Sequence, residues 1–280
     1  MKQNLSTNIG WLHGQWGPIN QLEVPISDRG VSLGDGIFET ILIYKGKAQL
    51  LKSHLMRWQQ SASILQMAAP PSEQWLRPLI NEAIQRISLD KSNGALRLNW
   101  TRGNNLSRGI SISNKKIAKS DHRFWLELHA CEPSFDSIST MISYSEQRNA
   151  NSQLNQFKTF AFGQAIQAKY EANNCGYDDA LLLSSNGDLC CGTTANLLIK
   201  RNHQWITPPL DSGCLPGIMR QQGINSGLIK EARVSRNPQQ GDEWLLINSL
   251  SCKAIKKLND QSLSISTNTQ KLWLDLLREE

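Results

Sequence analysis

The stretch DDALLLSSNGDLCCGTTANLLI, Asp178 to Ile199, constrains the fold more than any other part of the chain. Two apolar, β-prone runs flank Asn186-Gly187, a pair suited to the left-handed backbone of a tight hairpin turn. The run before it, TFAFGQAIQAKYEANNCG, carries an Ala/Phe/Ile face at helical spacing and ends in Asn174 or Gly176, as helices do. QWITPPL after it is a short strand stopped by prolines, PGIMRQQGINSGLI opens a helix after Pro216-Gly217, and DEWLLINSLSCKAIKKL is a buried strand that runs into a polar turn. TQKLWLDLLREE reads as a closing amphipathic helix.

The first half alternates in the same way. ETILIYKGKAQLL is a hairpin around Lys45-Gly46. Ser53 is placed to cap a helix from His54 with Leu55, Trp58, Ala62 and Leu65 on one face. Ser72 caps a second helix with Trp75, Leu79, Ala83 and Ile87 in a stripe, and Pro78 is expected to kink or delay it. GALRLNWTRG, RFWLELHAC and STMISYS read as strands. SEQRNANSQLNQ, 145–156, is polar and aperiodic, which marks a linker. The reading is therefore α+β, with an N-terminal domain at 1–144, a linker at 145–156 and a C-terminal domain at 157–280.

At 280 residues there is core enough for two modest domains. No run approaches the roughly 20 apolar residues that a membrane helix needs. MKQNLSTNIGWLHGQWGPIN lacks an apolar core of signal-peptide length, so a cytoplasmic protein is expected. The net charge of +6 is dispersed. Its densest run, SNKKIAKSDHR, holds an acid and few aromatics, which suits a solvated loop rather than nucleic acid.

Cys190 and Cys191 end an apolar run, and a disulfide, a metal site, a nucleophile and a lost acid are all open readings. The six cysteines, at 131, 175, 190, 191, 214 and 252, form no framework. Thiols stay reduced in a cytosol, and adjacent cysteines close a strained ring. There is no C-x-x-C pair, and the histidines at 13, 54, 122, 129 and 203 fall at no ligand spacing, so no metal is expected.

Among residues able to do chemistry, Lys158 lies between Phe157 and Phe160. Burial disfavours an ammonium, and a neutral amine forms a Schiff base with an aldehyde. On local sequence alone the favoured reading is the plainer one, a lysine that lays its stem on the phenylalanines and keeps its head in water. Gly217 and Ile218 open a helix whose free amides suit a phosphate, and GTTAN and NSLS supply small hydroxyl residues at turns. Arg57 lies on the first helix, where an arginine is usually a surface residue. Arg102 and Arg108, in WTRGNNLSRGI, suit a carboxylate or form a plain loop.

In order, ISDRGVSLGDGIFETI, HLMRW, RLNWTRGNNLSRGI, FKTF, DDALLLSSNGDLCCGTTANLLI, ITPPLDSGCLPGIMRQ and LLINSL resemble the fold-type IV family of pyridoxal-phosphate enzymes. That family holds the branched-chain and D-amino-acid aminotransferases and aminodeoxychorismate lyase, and the motifs resemble the lyase most. The resemblance implies a two-domain fold with cofactor and substrate in the cleft, a homodimer and a small anionic substrate. By it, Lys158 would bond to the cofactor aldehyde and shuttle protons. Arg57, the amides of Ile218 and Met219 and the turn at Ser249-Leu250 would grip the phosphate. Thr194 would lie against the pyridine ring, and Arg108 would meet a substrate carboxylate.

There are departures. Family members carry a glutamate five residues before the asparagine of TAN, where it pairs with the pyridine nitrogen; here Asn196 is that asparagine and Cys191 stands in the acid's place. An uncharged thiol would leave the ring a weaker electron sink. Ala161 replaces a common asparagine, and Ile110 stands where D-amino-acid aminotransferases carry a histidine. The expected function is an aminodeoxychorismate lyase, which needs the electron sink less than a transaminase. The alternatives are a class IV aminotransferase and a degenerate, non-catalytic relative.

Overall fold

The structure is a computed structural model, and it describes residues 7–105, 108–112 and 118–278. Residues 113–117 of the basic run lie outside that description. The chain divides into two compact units, Met1–Glu132 with Lys158–Ala161, and Pro133–Phe157 with Phe162–Glu280.

The first unit is built on β1 (Asn8–Leu12), β2 (Gln15–Gly17), the one-turn helix α1 (Arg29–Leu33), β3 (Gly36–Tyr44), β4 (Lys47–Ala48), α2 (Leu51–Ile64), α3 (Glu73–Arg86), β5 (Gly94–Thr101) and β6 (Arg123–Ala130). The strands form one antiparallel sheet in the order β2-β1-β6-β5-β3-β4. The hairpin at Lys45-Gly46 stands as expected, both residues having positive φ (49° and 75°). Leu55, Trp58 and Ala62 of α2 and Leu76, Ile80, Ala83 and Ile84 of α3 bury against Ile41, Leu96, Leu98 and Leu126 of the sheet.

Two helix details differ from expectation. α2 starts at Leu51, with Leu50 as its left-handed N-cap, and no side chain caps it. Leu50 and Leu51 are both buried, so apolar burial sets this start and overrides the capping preference of Ser53. Ser72 does cap α3, accepting from the Trp75 N–H, but the buried stripe is Leu76, Ile80, Ala83 and Ile84. Trp75 stays 46% exposed and meets Trp11 and Phe124 edge-on at 5.6 and 5.4 Å. α3 continues through Pro78.

The second unit contains β7 (Ile138–Arg148), α4 (Gly163–Asn174), β8 (Asp179–Ser184), β9 (Leu189–Gly192), β10 (Asn196–Arg201), β11 (Gln204–Thr207), α5 (Ile218–Asn225), β12 (Ile229–Glu231), β13 (Glu243–Asn248), β14 (Ser251–Leu258), β15 (Gln261–Ser262) and α6 (Thr269–Leu276). Its sheet runs β12-β11-β10-β13-β14-β7-β8-β9. A further pairing of Asn196 in β10 with Cys191 in β9 joins the ends of the path β10-β13-β14-β7-β8-β9 into a closed ring. One face packs Leu181, Leu183, Leu189, Leu197, Trp244 and Leu246. The other carries Met141, Ala180, Leu182, Cys190 and Cys191 against Ala168 and Ala172 of α4.

The division differs from that expected at 144 and 157. β7 extends to Arg148, through the first residues of the polar segment, because Gln147 and Arg148 pair with Leu183 and Ser184 of β8. The rest of that segment is a turn and a 3₁₀ turn at Gln153–Gln156. Lys158–Ala161 joins the first unit because it adds to the edge of β3: Thr159 bridges Ile37, and the Phe160 N–H donates to the Gly36 carbonyl at 3.0 Å.

Candidate active site

Lys158 is held by backbone pairing. The Phe38 N–H donates to its carbonyl at 2.9 Å, which fixes the residue beside β3. Its Nζ lies 4.4 Å from the centre of the Phe38 ring, and the Arg97 guanidinium lies 3.6 Å over the same ring. Burial, then the charges of Arg57 and Arg97, bring the amine down to about 8, against the opposing pull of Glu39. About a tenth of the amine is then neutral at pH 7, against well under a thousandth for a free lysine. Lys158 is half-buried, and its lowered pKa favours the desolvated amine of the two readings open from sequence.

Of the groups around it, Glu39 and His54 were missed from sequence, whereas Arg57, expected at a cofactor phosphate, is engaged with Glu39. Glu39, fully enclosed in β3, accepts from Arg57 Nε at 2.8 Å and Arg57 NH2 at 2.5 Å, and from His54 Nδ1 at 2.7 Å. Burial alone would raise its pKa, but the Arg57 charge and the His54 hydrogen bond win and hold it at about 2. His54, expected to be a surface or half-buried polar residue, is buried, and burial lowers its pKa. It therefore stays neutral at pH 7 and donates from Nδ1. Only an apolar strand position occupied by an acid, as in GIFETILIY, signals such a cluster in sequence.

The two arginines of WTRGNNLSRGI separate. Arg102 is buried, pairs with Asp35 at 3.0 Å and donates to the Gln66 and Leu65 carbonyls, so it is structural. Arg108 is exposed. The turn that bears it is tied down by Arg29, which donates to the carbonyls of Ile110 and Ser111 at 3.1 and 3.3 Å and pairs with Asp35 at 2.7 Å.

The second unit brings together the turn after β9, the start of α5 and the turn after β13. Asn196 Nδ2 donates to the Leu215 carbonyl at 2.9 Å, just before α5. Its Oδ1 comes so close to Gly217 that a Cβ there would sit 1.9 Å away, so the N-cap of α5 must be glycine. No side chain caps α5, whose first residues are Ile218 and Met219. An uncapped helix start with its dipole suits a phosphate. At the β13–β14 turn the Leu250 N–H is already bonded to Asn248 Oδ1 at 2.8 Å. Asn248 Nδ2 also donates to the carbonyl of Thr194 at 3.3 Å, and Thr194 is exposed in its turn.

Cys191 is buried in a cluster with Leu182, Ala168 and Cys214. A hydrogen bond from Cys190, acting against burial, and the charge and hydrogen bond of Arg148 bring it down to about 7. Cys190 is pushed far up by its bonds to Cys191 and Cys214.

The chain belongs to the amino-transferase class IV family, whose model matches residues 36–257. It is 28% identical over 239 residues to branched-chain-amino-acid aminotransferase-like protein 2 of Arabidopsis thaliana, covering 81% of this chain and 41% of that protein. The chain thus spans less than half the length of that relative. It is 26% identical over 225 residues to aminodeoxychorismate lyase of Vibrio harveyi, covering 76% and 74%. The structure matches the pyridoxal-phosphate-bound form of a hypothetical aminotransferase from Mycobacterium tuberculosis with a TM-score of 0.79 at 18% identity, covering 96% and 97%. The fold is that of the fold-type IV enzymes, and the family depends on pyridoxal phosphate. Each unit by itself carries residues that fit that group: the first a lysine amine of lowered pKa, suited to an aldehyde, and the second an uncapped, glycine-led helix start, suited to a phosphate. Among the described residues no helix is long and apolar enough to cross a membrane.

Proposed function

We propose that this protein converts 4-amino-4-deoxychorismate to 4-aminobenzoate and pyruvate, as a pyridoxal-phosphate-dependent lyase. The observation that carries the reading is Lys158, whose amine is desolvated over Phe38 and shifted to about 8. Such an amine takes a proton at neutral pH and gives it back. Arg57, the amides of Ile218 and Met219 and the turn at Ser249 and Leu250 are assigned to the cofactor phosphate, and Thr194 and Cys191 to its ring. Because the Leu250 N–H is already engaged by Asn248, that turn contributes through its shape or through Ser249.

Bound pyridoxal phosphate supplies an electron sink at the carbon that loses its proton. Lys158 removes the proton from the ring carbon bearing the amine. The adjacent carbon–oxygen bond breaks, and enolpyruvate leaves and takes a proton at its methylene carbon to become pyruvate. The ring becomes aromatic, so the step is driven by its product. Arg108, on the turn that Arg29 secures, is assigned to a substrate carboxylate. The absence of a carboxylate at position 191 favours this reaction over transamination, which leans harder on the sink. The aminotransferase-like and lyase relatives, at 28% and 26% identity, do not separate the two.

The test supplies 4-amino-4-deoxychorismate to the cofactor-loaded protein and follows pyruvate with lactate dehydrogenase. In parallel, amino acids are offered with a keto acid acceptor. Pyruvate release that is lost in Lys158→Ala supports the lyase. Keto-acid exchange without pyruvate release assigns an aminotransferase instead, and neither activity in a protein that binds cofactor assigns the degenerate relative. The same reading carries a homodimer, which sedimentation checks.

A further inference from the structure

Asp35, between Gly34 and Gly36, serves two arginines at once. Its backbone N–H donates to the Arg29 carbonyl at 3.1 Å, and its carbonyl accepts from the Arg102 N–H at 3.4 Å. Its carboxylate divides in the same way: Oδ2 accepts from Arg29 Nε at 2.7 Å and Oδ1 from Arg102 Nε at 3.0 Å. Gly34 makes this arrangement reachable, because its left-handed backbone (φ 68°) ends α1 and returns the chain to Arg29. Both arginines are buried. Two guanidiniums drawn to one place of low dielectric repel each other, and the carboxylate between them offsets that. The neighbouring Asp28 is no substitute, since Arg123, the Thr101 hydroxyl and the Gly30 N–H already engage it.

The two arginines reach different parts of the first unit. Arg29 directs its remaining N–H groups to the turn that bears Arg108. Its NH2 donates to the Ile110 carbonyl at 3.1 Å, and its NH1 to the Ser111 carbonyl and to Asn105 Oδ1, each at 3.3 Å. Arg102 directs its own to the Leu65 and Gln66 carbonyls at the end of α2, the helix of His54 and Arg57. One carboxylate therefore ties the Arg108 turn to the end of α2. The start of the turn is pinned as well, by the Asn105 N–H donating to the Ser27 carbonyl at 2.7 Å. Its outer part, 108–112, is exposed and is held from Arg29 and by Asn105 Nδ2, which donates to the Gly109 carbonyl at 3.1 Å. One carboxylate for two guanidiniums also leaves a positive charge beside the turn, which suits an anion.

We propose that Asp35 is a positioning residue: by joining Arg29 to Arg102 it fixes the Arg108 turn, and through Arg108 it sets the affinity for the substrate's carboxylate. The hold on the turn is independent of the reaction; the effect on the substrate rests on the proposed lyase function. Arg108 is assigned to a group that does not react, so displacing it weakens binding before and at the transition state alike and falls on KM rather than kcat.

The experiment introduces Asp35→Asn into the full chain. The amide keeps the shape but presents one acceptor and one donor, so one guanidinium loses its acceptor. Trypsin cleavage after Arg108, timed by mass spectrometry without substrate, should speed up by about tenfold or more, the worth of a hydrogen bond to a charged group. Cleavage after Arg233, exposed in the second unit, should keep its wild-type rate. With 4-amino-4-deoxychorismate, KM should rise by about tenfold while kcat changes by less than about twofold. Arg108→Gln should raise KM too, and adding Asp35→Asn to it should raise KM no further, because both act on one contact. A cleavage rate after Arg108 equal to wild type overturns the hold on the turn. Additive rises in KM, or a fall in kcat with KM unchanged, overturn the action through Arg108. Arg29→Lys guards against misfolding of the first variant. Its lysine still pairs with Asp35 but lacks the fork that reaches Ile110 and Ser111, so it should also speed cleavage after Arg108, and an unchanged rate refutes the proposal. If the wild type releases no pyruvate, the lyase reading fails on its own, and the trypsin rates still decide whether Asp35 holds the turn.

Discussion

Glu39→Gln tests whether the enclosed carboxylate organises the lysine cluster. Glu39 is 1% exposed and falls from 4.5 to about 2 on folding. A shift of about 2.5 units is worth about 3 kcal/mol of stability. The pKa is depressed, so that stability is fully present above the ordinary carboxylate pKa and is lost as the pH falls through about 2. By about pH 3, about 2 kcal/mol of it is already gone. A glutamine keeps the shape but can present its one oxygen either to His54 or to Arg57, and its amide then faces a donor. Removing one partner of a buried pair costs about 3–5 kcal/mol. Urea unfolding should therefore show the variant weaker at pH 7 by about that amount, and with a flatter loss of stability between about pH 5 and about pH 3. Glu39 also raises the Lys158 pKa, so in the variant the amine should titrate below about 8, and aldehyde capture, fixed by borohydride, should move to lower pH. A variant with the wild-type acid slope, or a capture midpoint that moves upward, refutes the reasoning.

Lys158→Met should abolish the borohydride-fixed cofactor adduct and stabilise the fold by about 2 kcal/mol at pH 7, discounting for the solvent that reaches the side chain. The cost it removes is present below about 8 and fades as the pH rises towards 10.5, so the gain in urea midpoint should vanish in alkali. Gly217→Ala places a Cβ 1.9 Å from Asn196 Oδ1; it should cost about 1–3 kcal/mol and weaken cofactor binding by more than tenfold in equilibrium dialysis. Arg29→Ala frees the turn that bears Arg108; KM for the substrate should rise more than kcat falls, and an unchanged KM would detach that turn from the substrate.

Some of this architecture was legible because local rules and tertiary packing agree. Ser72 caps α3, Lys45-Gly46 turns its hairpin, and the Asn186-Gly187 turn separates β8 from β9. Expectation missed where the two compete. Trp75 and Leu76 are both apolar, so the sequence admits two stripes one residue apart, and the aromatic contacts of Trp75 with Trp11 and Phe124 choose between them. Polar residues 145–148 read as linker because the β8 pairing that extends β7 is invisible at that position. The Lys158–Ala161 segment is claimed by β3, more than a hundred residues earlier, and no local signal reports such a pairing.

The candidate site divides the same way. Lys158 announces itself through its aromatic neighbours, but what sets its chemistry, Glu39 on β3 with His54 and Arg57 on α2, is assembled by packing one element on another. Position 191 shows the limit most sharply. From sequence, replacing an acid by cysteine removes a charge, because a thiol in isolation is neutral at pH 7. That inference treats the side chain as alone. A bulge no local pattern records turns Cys190 towards its neighbour, and a guanidinium at the far end of β7 completes the surroundings. How a buried side chain titrates therefore depends on the neighbours that the fold brings to it, which its own residue type does not announce.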